Sequence, residues 1–517
     1  MAPPDRELGV HRRRLTLVVT CIGQGMILLD NTIVNVALPA MQHELRISPG
    51  NLEWTVNAYV LALASLILLG GTLGDRYGRK RLFLAGLVIF TVFSAGCALS
   101  QSDLALIVNR GLQGVGAAIL APLSLAILVD AYPPERRTAA IGIWASVAGL
   151  GFGAGPIVGG LLIELFGWPA IFWVNVPIGV VGFALAAVSV RESRDPGARS
   201  LDPAGTVLIS VGLFVLTFAL IEANVHHWLS TYTLSLGAVA FAALAAFLVH
   251  ERRTPHPMVP LGLFRDRVFS AANAIYALAY ASLAGMFFFV TLYFQNVKGW
   301  SALQTGLSWI PLNVPFLAVA PFAGRIVKRT GAAMPVAAGL VLGSVSMFGL
   351  SLLDAGSSYA AVWPCYLLSG LGYGLLVPAI SAAAMAAVPA DRSGVGSGIL
   401  NSARQVGAAV GLAVLGSIAV VTASRAWRAH IGTLDAAEAA KAGALVQQVA
   451  GGEVGMVAAV LGPQTSQPAL ASFLSGYRAA LVAAGAMLLV AAVIAVAGLR
   501  SAARSPAGRV TAPGDRR

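Results

Sequence analysis

Long apolar runs alternate with short polar segments along the whole chain. About 20 apolar residues in a helix span a hydrocarbon core of roughly 30 Å, and about fourteen such runs are present. The pattern therefore predicts membrane-spanning helices near residues 15–39, 52–73, 82–100, 104–129, 138–163, 169–190, 203–222, 231–249, 268–294, 303–324, 332–353, 359–387, 394–422 and 473–499.

Polar segments separate these helices into groups of six, two and six. We predict an N-terminal six-helix bundle (1–190), a linker with two inserted transmembrane helices (191–267), a C-terminal six-helix bundle (268–499) and a disordered cytoplasmic tail (500–517). The second bundle includes a long extracellular segment, 423–472. Part of that segment, 434–449, fits a short surface helix, and a mobile loop remains an equal alternative.

Two patterns recur at nearly the same offset. The glycine-rich, charged stretch 71–81 is echoed at 324–331, and the Gly-x-Gly at 114–116 with Pro122 is echoed at 370–372 with Pro378. Parallel repeats in a membrane protein are typical of secondary transporters. The sequence thus predicts an all-α integral membrane protein built from two related six-helix bundles with two additional helices between them.

Composition and charge agree with this prediction. The 517 residues are 57% hydrophobic and 11% charged, a balance that would leave a soluble enzyme with large exposed apolar patches. The net charge of +12 does not indicate nucleic-acid binding, because most lysines and arginines lie at the termini or in loops on their side. The positive-inside rule then places both termini in the cytoplasm. The exceptions in opposite loops are Arg46, Lys298, Arg425, Arg428 and Lys441.

The sequence carries no enzyme signature. It has no Walker loop and no Gly-x-Ser-x-Gly, and the His43-Glu44 start of a zinc-protease motif fails because Ile47 occupies the second histidine position. The three cysteines have no metal-type spacing, which predicts simple packing. We expect no catalytic residue, no metal and no cofactor.

Two of the charged residues inside apolar runs are candidates for proton chemistry. Asp30 lies toward the outer part of the first helix, where burial would favour its protonated form and make it a proton carrier. Arg110 lies about a third of the way into the fourth helix and could tune Asp30 or hold a water on a proton path. The alternatives are a solvated Asp30 at the aqueous mouth and an Arg110 that snorkels to the interface.

Two glycine-rich motifs predict moving parts. The stretch 71–81 reads as a tight cytoplasmic hairpin whose charges can make and break contacts. The stretch 151–160 places small residues around a proline, which predicts a helix that bends or packs closely where the bundles meet. Their candidate residues are Gly71, Asp75, Arg76, Gly78 and Arg79 in the hairpin, and Gly151, Gly155, Pro156 and Gly159 in the helix.

Further polar side chains within the spans are candidates for a cavity lining. They are Asn31, Asn35, Gln113, Asn401 and Arg404. Aromatic residues such as Tyr276 and Tyr280 could line a cavity for an apolar or cationic solute, and membrane-interface belts explain such residues equally well.

These motifs together resemble the major facilitator superfamily, and specifically its fourteen-helix drug:proton antiporters. Stretches 29–39, 71–81, 110–116 and 151–160 are similar to the family's first-helix, hairpin, fourth-helix and fifth-helix motifs. The resemblance covers nearly the whole chain.

The resemblance implies a role for each motif. Asp30 would titrate, Arg110 would assist proton transfer, Asp75 would join a cytoplasmic latch of the outward-facing state, and Gly155-Pro156 would favour export. The sequence departs from the family at Pro169, where a basic residue is usual. The second hairpin also carries Lys328 where the first has Asp75.

We therefore expect a proton-coupled antiporter of the plasma membrane, with both termini cytoplasmic. It would export small, largely hydrophobic or cationic drugs or antibiotics by alternating access. Its partners would be the lipid bilayer, protons and the substrate, it would be a monomer, and the proton gradient would supply the energy without a cofactor. The alternatives are a dedicated exporter of a single endogenous metabolite and a transport-inactive membrane sensor.

Overall fold

A computed structural model describes residues 9–194, 202–226, 228–255, 257, 259–388, 393–432 and 436–499. Every regular element in this part of the chain is helical. The predicted tail at 500–517 and the middle of the linker at 195–201 lie outside the described residues.

Helices occupy all six positions predicted for the first bundle. Serine side chains begin two of them, since Ser48 accepts a hydrogen bond from the Asn51 amide and Ser102 accepts one from the Ala105 amide. The helices are α1 (Val10–Leu45), α2 (Pro49–Tyr77), α3 (Arg79–Ala98), α4 (Asp103–Ala131), α5 (Pro134–Phe166), and the consecutive pair α6 (Ala170–Trp173) and α7 (Asn175–Ser189).

The inserted pair and the second bundle follow in the predicted order. The helices are α8 (Pro203–His226), α9 (Thr231–Arg253), α10 (Arg267–Leu292), α11 (Ala302–Ser308), α12 (Ile310–Thr330), α13 (Ala333–Ser351), α14 (Tyr359–Ala386), α15 (Ser393–Ile431), α16 (Ala436–Ala444), α17 (Val446–Ala450), α18 (Val454–Leu461) and α19 (Ser466–Leu499). A π-helical turn, Tyr293–Val297, extends α10.

Most of these helices can cross a membrane. Within the described residues, twelve helical spans are long and apolar enough to do so, and α2 makes a thirteenth if its two parts, Asn51–Ile67 and Leu69–Tyr77, count as one. The span predicted at 138–163 is α5, in which a shorter apolar helix, Ala154–Phe166, is found.

The two bundles repeat the same close packing, as the sequence repeats predict. In α4, Gly114 lies against the backbone of Tyr59 on α2, and Gly116 lies against the backbone of Phe90 on α3. In α14, Gly370 and Gly372 lie in the same way against backbone atoms of α12 and α13. A side chain at these positions would separate the helices.

The inserted helix α8 covers the seam between the bundles. The Trp54 ring on α2 lies 5.8 Å from the Phe214 ring and 5.9 Å from the Phe218 ring of α8. On the other side of the seam, the Ser417 hydroxyl of α15 donates to the Leu220 carbonyl oxygen at 2.8 Å. Thus α8 contacts one helix of each bundle.

The bundles meet on one face of the molecule. We call the face where α1 begins and α19 ends the terminal face, and the other the opposite face. Near the opposite face, the Gln295 side-chain amide donates to the Val36 carbonyl oxygen at 2.8 Å and the Ser301 hydroxyl donates to Glu164 at 3.1 Å. The structure is therefore closed on the opposite face.

The predicted loop at 423–472 is largely helical, which corrects the mobile-loop alternative. Helix α15 continues to Ile431, α19 begins at Ser466, and α16 to α18 fold between them into a cap on the opposite face. The fully buried Trp427 holds this cap, because its indole N–H donates to the Ala442 carbonyl oxygen at 2.9 Å. Its apolar core also includes Leu445, Val449 and Val457.

Candidate functional site

Asp30 and Arg110 lie together in the interior of the first bundle. Their side chains are 0% and 1% exposed, and their nearest atoms, Oδ2 and Nη1, are 2.6 Å apart. Asp30 lies in mid-helix in α1, not at an aqueous mouth, and Arg110 does not snorkel to an interface. Both of those alternatives are wrong.

Three side chains donate hydrogen bonds to the Asp30 carboxylate. Arg110 donates to Oδ2, Gln113 donates to Oδ1 at 2.9 Å, and Asn175 donates to Oδ1 at 3.0 Å. Gln113 lies one turn after Arg110 on α4, so one helix face supplies two of the donors. Asn175, at the start of α7, supplies the third.

The Arg110 guanidinium is surrounded by acceptors. It donates to the Gln113 side-chain oxygen at 2.7 Å and to the Thr55 carbonyl oxygen at 3.2 Å. Its central carbon lies 4.3 Å from the centre of the Tyr59 ring, a cation–π distance. Helices α1, α2, α4 and α7 thus enclose one polar network, which we call the Asp30 network: Asp30, Arg110, Gln113, Asn175, Thr55 and Tyr59.

This arrangement changes the chemistry expected of Asp30. Burial alone would favour a neutral carboxyl group, but the Arg110 cation compensates an ionised one. Protonation of Asp30 would remove that compensation and leave Arg110 as a buried cation. A buried cation without its carboxylate partner is costly.

Sequence reasoning did not single out Asn175. It lies shortly after Pro169, and one asparagine in an apolar segment gives no sign of its partner. The amide of Asn175 also donates to the Ser94 hydroxyl at 3.1 Å, and Ser94 donates to the Phe172 carbonyl oxygen at 2.9 Å. These bonds fix the orientation of the amide toward Asp30.

The predicted hairpin lies on the terminal face. Helix α2 continues through Gly71, Asp75 and Arg76, the chain turns at Gly78 with φ of 119°, and Arg79 begins α3. That φ favours glycine. Asp75 pairs with Arg79 at 2.7 Å, inside the hairpin and not across the bundles. A latch role for Asp75 in another conformation remains a prediction.

Glu192, which sequence reasoning placed in a linker, caps the hairpin. Its carboxylate accepts hydrogen bonds from the backbone amides of Lys80 at 3.1 Å and Arg81 at 3.3 Å. A carboxylate at a helix start satisfies free amides and the helix dipole. Glu192 therefore ties the end of α7 to the start of α3.

The glycines of the α5 motif face two different neighbours. Gly151, Gly155 and Gly159 lie against α1, where Gly155 faces the Thr32 side chain. Pro156 and Gly160 lie against α11 of the second bundle. One face of the motif therefore packs on α1 within the first bundle, and the adjacent face contacts the second bundle, where the sequence predicts that the bundles meet.

The remaining polar candidates do not join the Asp30 network, apart from Gln113. The Asn35 amide donates to the Asn31 carbonyl oxygen at 3.2 Å, so it is satisfied within α1. Asn401 and Arg404 are half-buried on α15 in the second bundle. The Arg404 guanidinium lies 5.3 Å from the centre of the Tyr280 ring.

Comparison with known proteins adds to this geometry. A family model described as Major Facilitator Superfamily matches residues 20–412. The chain belongs to the Major Facilitator Superfamily. The superfamily assignment makes it a membrane transporter and not an enzyme, in agreement with the fold.

Several relatives within the superfamily are named as resistance, export or efflux proteins. The chain is 37% identical over 496 residues to the tetracenomycin C resistance and export protein of Streptomyces glaucescens, covering 93% of this chain and 90% of that one. It is 38% identical over 418 residues to the multidrug resistance protein Stp of Mycobacterium tuberculosis, covering 81% and 78%.

Solved structures show the same superfamily fold. A bacterial homolog of the human lysosomal transporter Spinster aligns with a TM-score of 0.65 at 18% identity, covering 96% of this chain and 100% of that one. The POT family transporter PepTSo aligns with a TM-score of 0.64 at 14% identity, covering 96% and 99%. At these identities the likeness concerns the fold alone.

Proposed function

We propose that this superfamily member is a proton-coupled antiporter that exports small, largely hydrophobic or cationic drugs or antibiotics. The observation that carries the proposal is the Asp30 network, a carboxylate and a cation enclosed inside one bundle. The names of the relatives support export and resistance. The energy source in this proposal is the proton gradient.

The cycle follows from the closed opposite face. In this conformation substrate would enter from the terminal face, which the positive-inside rule assigns to the cytoplasm. Opening the opposite face would release substrate outside. Each ligand can drive this exchange only if it binds one conformation better than the other.

Because of Asp30 and Arg110, the proton would bind one conformation better than the other. With Asp30 ionised, Arg110 is held by the carboxylate, by Gln113 and by the Thr55 carbonyl group. With Asp30 protonated, the ion pair is lost and Arg110 must shift its hydrogen bonds to its other acceptors. Because α1 and α4 carry these two side chains, their packing would differ between the protonated and ionised states.

Purified protein in liposomes that contain a pH-sensitive dye tests the proposal. Tetracenomycin C and ethidium serve as an aromatic and a cationic probe. We expect an imposed pH gradient to drive probe accumulation and each probe to drive proton movement in the opposite direction. Accumulation of one probe alone would favour a dedicated exporter over a multidrug exporter.

An Asp30→Asn variant should reduce probe-driven proton movement to the level of protein-free liposomes. Asp354→Asn is the matched control, because it makes the same change in a loop on the opposite face, where the Asp354 carboxylate accepts from the Ser357 hydroxyl at 2.9 Å. Normal gradient-driven transport by the Asp30→Asn variant would contradict proton coupling through this residue.

A further inference from the structure

Two polar side chains on α2 are buried without partners. Glu53 is 2% exposed and Asn57 is 0% exposed. In the described part of the chain, Glu53 makes no hydrogen bond or ion pair, and neither amide atom of Asn57 has a partner. The two residues are four positions apart, so they lie on one face of the helix. Glu53 lies outside the Asp30 network.

This face of α2 lies at the seam between the bundles. A side-chain carbon at Gly416 of α15 would collide with the Glu53 carboxylate oxygens, so the carboxyl group lies directly against the second bundle. Thr217 of α8, which covers the seam, is also 0% exposed, and its hydroxyl has no partner among the described residues. Three unpaired polar side chains therefore lie on the helices that form this seam.

The charged groups that the structure describes on the neighbouring helices do not pair with Glu53. Asp103 accepts from the Asn51 amide at 2.6 Å, Asp30 holds Arg110, and Glu222 pairs with His226 at 3.2 Å. In the described residues no cation lies within ion-pair distance of Glu53. The helices packed against α2 carry further charged or titratable groups. They are His11, Arg12, Arg13, Arg14, His43 and Glu44 of α1, Arg79, Lys80 and Arg81 of α3, Asp130 of α4, and Arg404, Arg425, Arg428 and His430 of α15.

An ionised carboxylate without a partner is very costly in such a place. A neutral carboxyl group costs far less, so the closed seam requires a proton on Glu53. Separation of α2 from α15 would admit water and allow ionisation. We propose that Glu53 is a second proton-binding site, whose proton locks the seam closed and is released when the opposite face opens.

The position of Glu53 also decides where its proton goes. At 1.5 Å per residue, Glu53 lies about 6 Å from the opposite-face end of α2 and about 36 Å from its terminal-face end. With the seam closed, the end of α2 at the opposite face is therefore the nearer outlet for its proton. Glu53 would thus exchange protons with the opposite compartment on both steps, and its proton is not carried across.

This makes Glu53 a sensor of pH on the opposite side. Acid on that side should favour closure, and alkali should favour opening. The open-to-closed ratio should rise about tenfold per pH unit for each proton released on opening. The inference rests on the alternating access of the proposed function, but not on Asp30 as the coupling group.

The distance between spin labels at positions 99 and 352 measures opening. Leu99 and Leu352 are 66% and 79% exposed, and they lie on the opposite face of different bundles. The labels are placed in full-length protein in lipid nanodiscs, with Cys21, Cys97 and Cys365 replaced by alanine. Glu53→Gln is compared with Glu44→Gln, a control acid at the same face whose carboxylate accepts from the Trp168 indole within the first bundle.

We expect the Glu53→Gln variant to stay closed at high pH. A plot of the logarithm of its open-to-closed ratio against pH should have a slope about one unit lower than that of the parent protein. Glu44→Gln should keep the parent slope. Gly416→Ala, whose methyl group displaces the carboxyl group, should favour the open state at every pH. An unchanged slope in Glu53→Gln, or a parent protein without any pH-dependent opening, would overturn the proposal.

Transport measurements distinguish a failure of the Glu53 proposal from a failure of the proposed function. In liposomes, Glu53→Gln should keep the parent ratio of protons to tetracenomycin C, while its rate no longer depends on pH at the opposite face. If that ratio falls, Glu53 carries a transported proton and the inference fails. If Asp30→Asn transports normally while Glu53→Gln behaves as expected, only the proposed coupling residue fails.

Discussion

Tyr366 occupies in the second bundle the position that Arg110 occupies in the first. The repeated glycines fix this correspondence, since Gly370 packs on α12 as Gly114 packs on α2. Both side chains are essentially unexposed. Where Arg110 meets a carboxylate, the Tyr366 ring stacks on the Trp309 ring at 4.6 Å.

The two bundles thus share a backbone plan and differ in their central chemistry. The Trp309 ring also lies 4.4 Å from the Phe287 ring of α10, so aromatic packing fills the second bundle's equivalent of the Asp30 network. Aromatic contacts do not titrate in the physiological range. Protonation and deprotonation of Asp30 would therefore change only one of two nearly symmetric bundles. A proton bound at Asp30 would thereby favour one conformation over the other.

A double-mutant cycle tests whether Asp30 and Arg110 act as a pair. Asp30→Asn or Arg110→Gln alone should each destabilise the protein by about 3–5 kcal/mol, because each leaves an uncompensated charge or unpaired donors in the interior. The double variant should lose much less than the sum. Thermal unfolding in detergent measures this.

Asp75→Asn is the control for that cycle. The Asp75–Arg79 pair is partly exposed, and such pairs contribute about 0–1 kcal/mol. If the losses from Asp30→Asn and Arg110→Gln simply add, the two residues are not energetically coupled in the folded protein.

The positions of the helices were predictable because the bilayer imposes their length and polarity. Apolar runs alone located α1, with Asp30 inside it, and α4, with Arg110. The contact between Asp30 and Arg110 was only an open possibility, because 80 residues separate them and their meeting depends on how four helices pack. The division of the chain into units at 190 and 267 remains a prediction.

Other features gave no sequence signal of their own. Glu53 follows Asn51 near a helix start, where an acidic residue suggests a solvated end and not the seam between bundles. Glu192 appeared to be one charge among several in a polar linker. The cap around Trp427 is rich in alanine and glycine, so its weak hydrophobic periodicity did not exclude a loop.

The two faces of α5 predict different effects for two similar substitutions. Gly155→Ala places a methyl group against Thr32 within the first bundle and should lower stability by about 1–3 kcal/mol. Gly160→Ala places it against the Ala302 carbonyl group of α11, and should instead open the opposite face. Gly111→Ala is the control, because open space surrounds that position.

Thermal unfolding and the distance between labels at 99 and 352 separate these outcomes. We expect Gly160→Ala to lengthen the mean distance while the unfolding temperature changes little. A Gly160→Ala protein with the parent distance would show that the contact between α5 and α11 does not hold the opposite face closed.

Single cysteines test the orientation of the chain in the membrane. Leu352→Cys lies on the opposite face, and Met334→Cys lies on the terminal face, where Met334 is 65% exposed. In intact cells a membrane-impermeant maleimide should label Leu352→Cys and not Met334→Cys. The parent protein is the blank, since Cys21, Cys97 and Cys365 are all buried. The reverse pattern would place the termini outside.

Glu453 in the cap predicts a pH-dependent stability of that structure. Burial raises the pKa of the Glu453 carboxyl group above its usual value, and nearby His43 and Gln42 only partly oppose this. The folded cap therefore holds a proton more tightly than the unfolded segment does. The contribution of this proton to the stability of the cap is fully present below the ordinary pKa of a glutamate, and that contribution is lost as pH rises from there through the raised value.

Hydrogen exchange of the amides in α16 to α18 measures this effect. In the parent protein, protection of the cap should fall as pH rises through that window, after correction for the intrinsic exchange rate. A Glu453→Gln variant, which remains neutral, should keep the protection of the acid form at every pH. Glu438→Gln in α16, for which no similar burial is found, should behave as the parent does. Equal loss of protection in Glu453→Gln would assign the pH dependence to another group, such as His43.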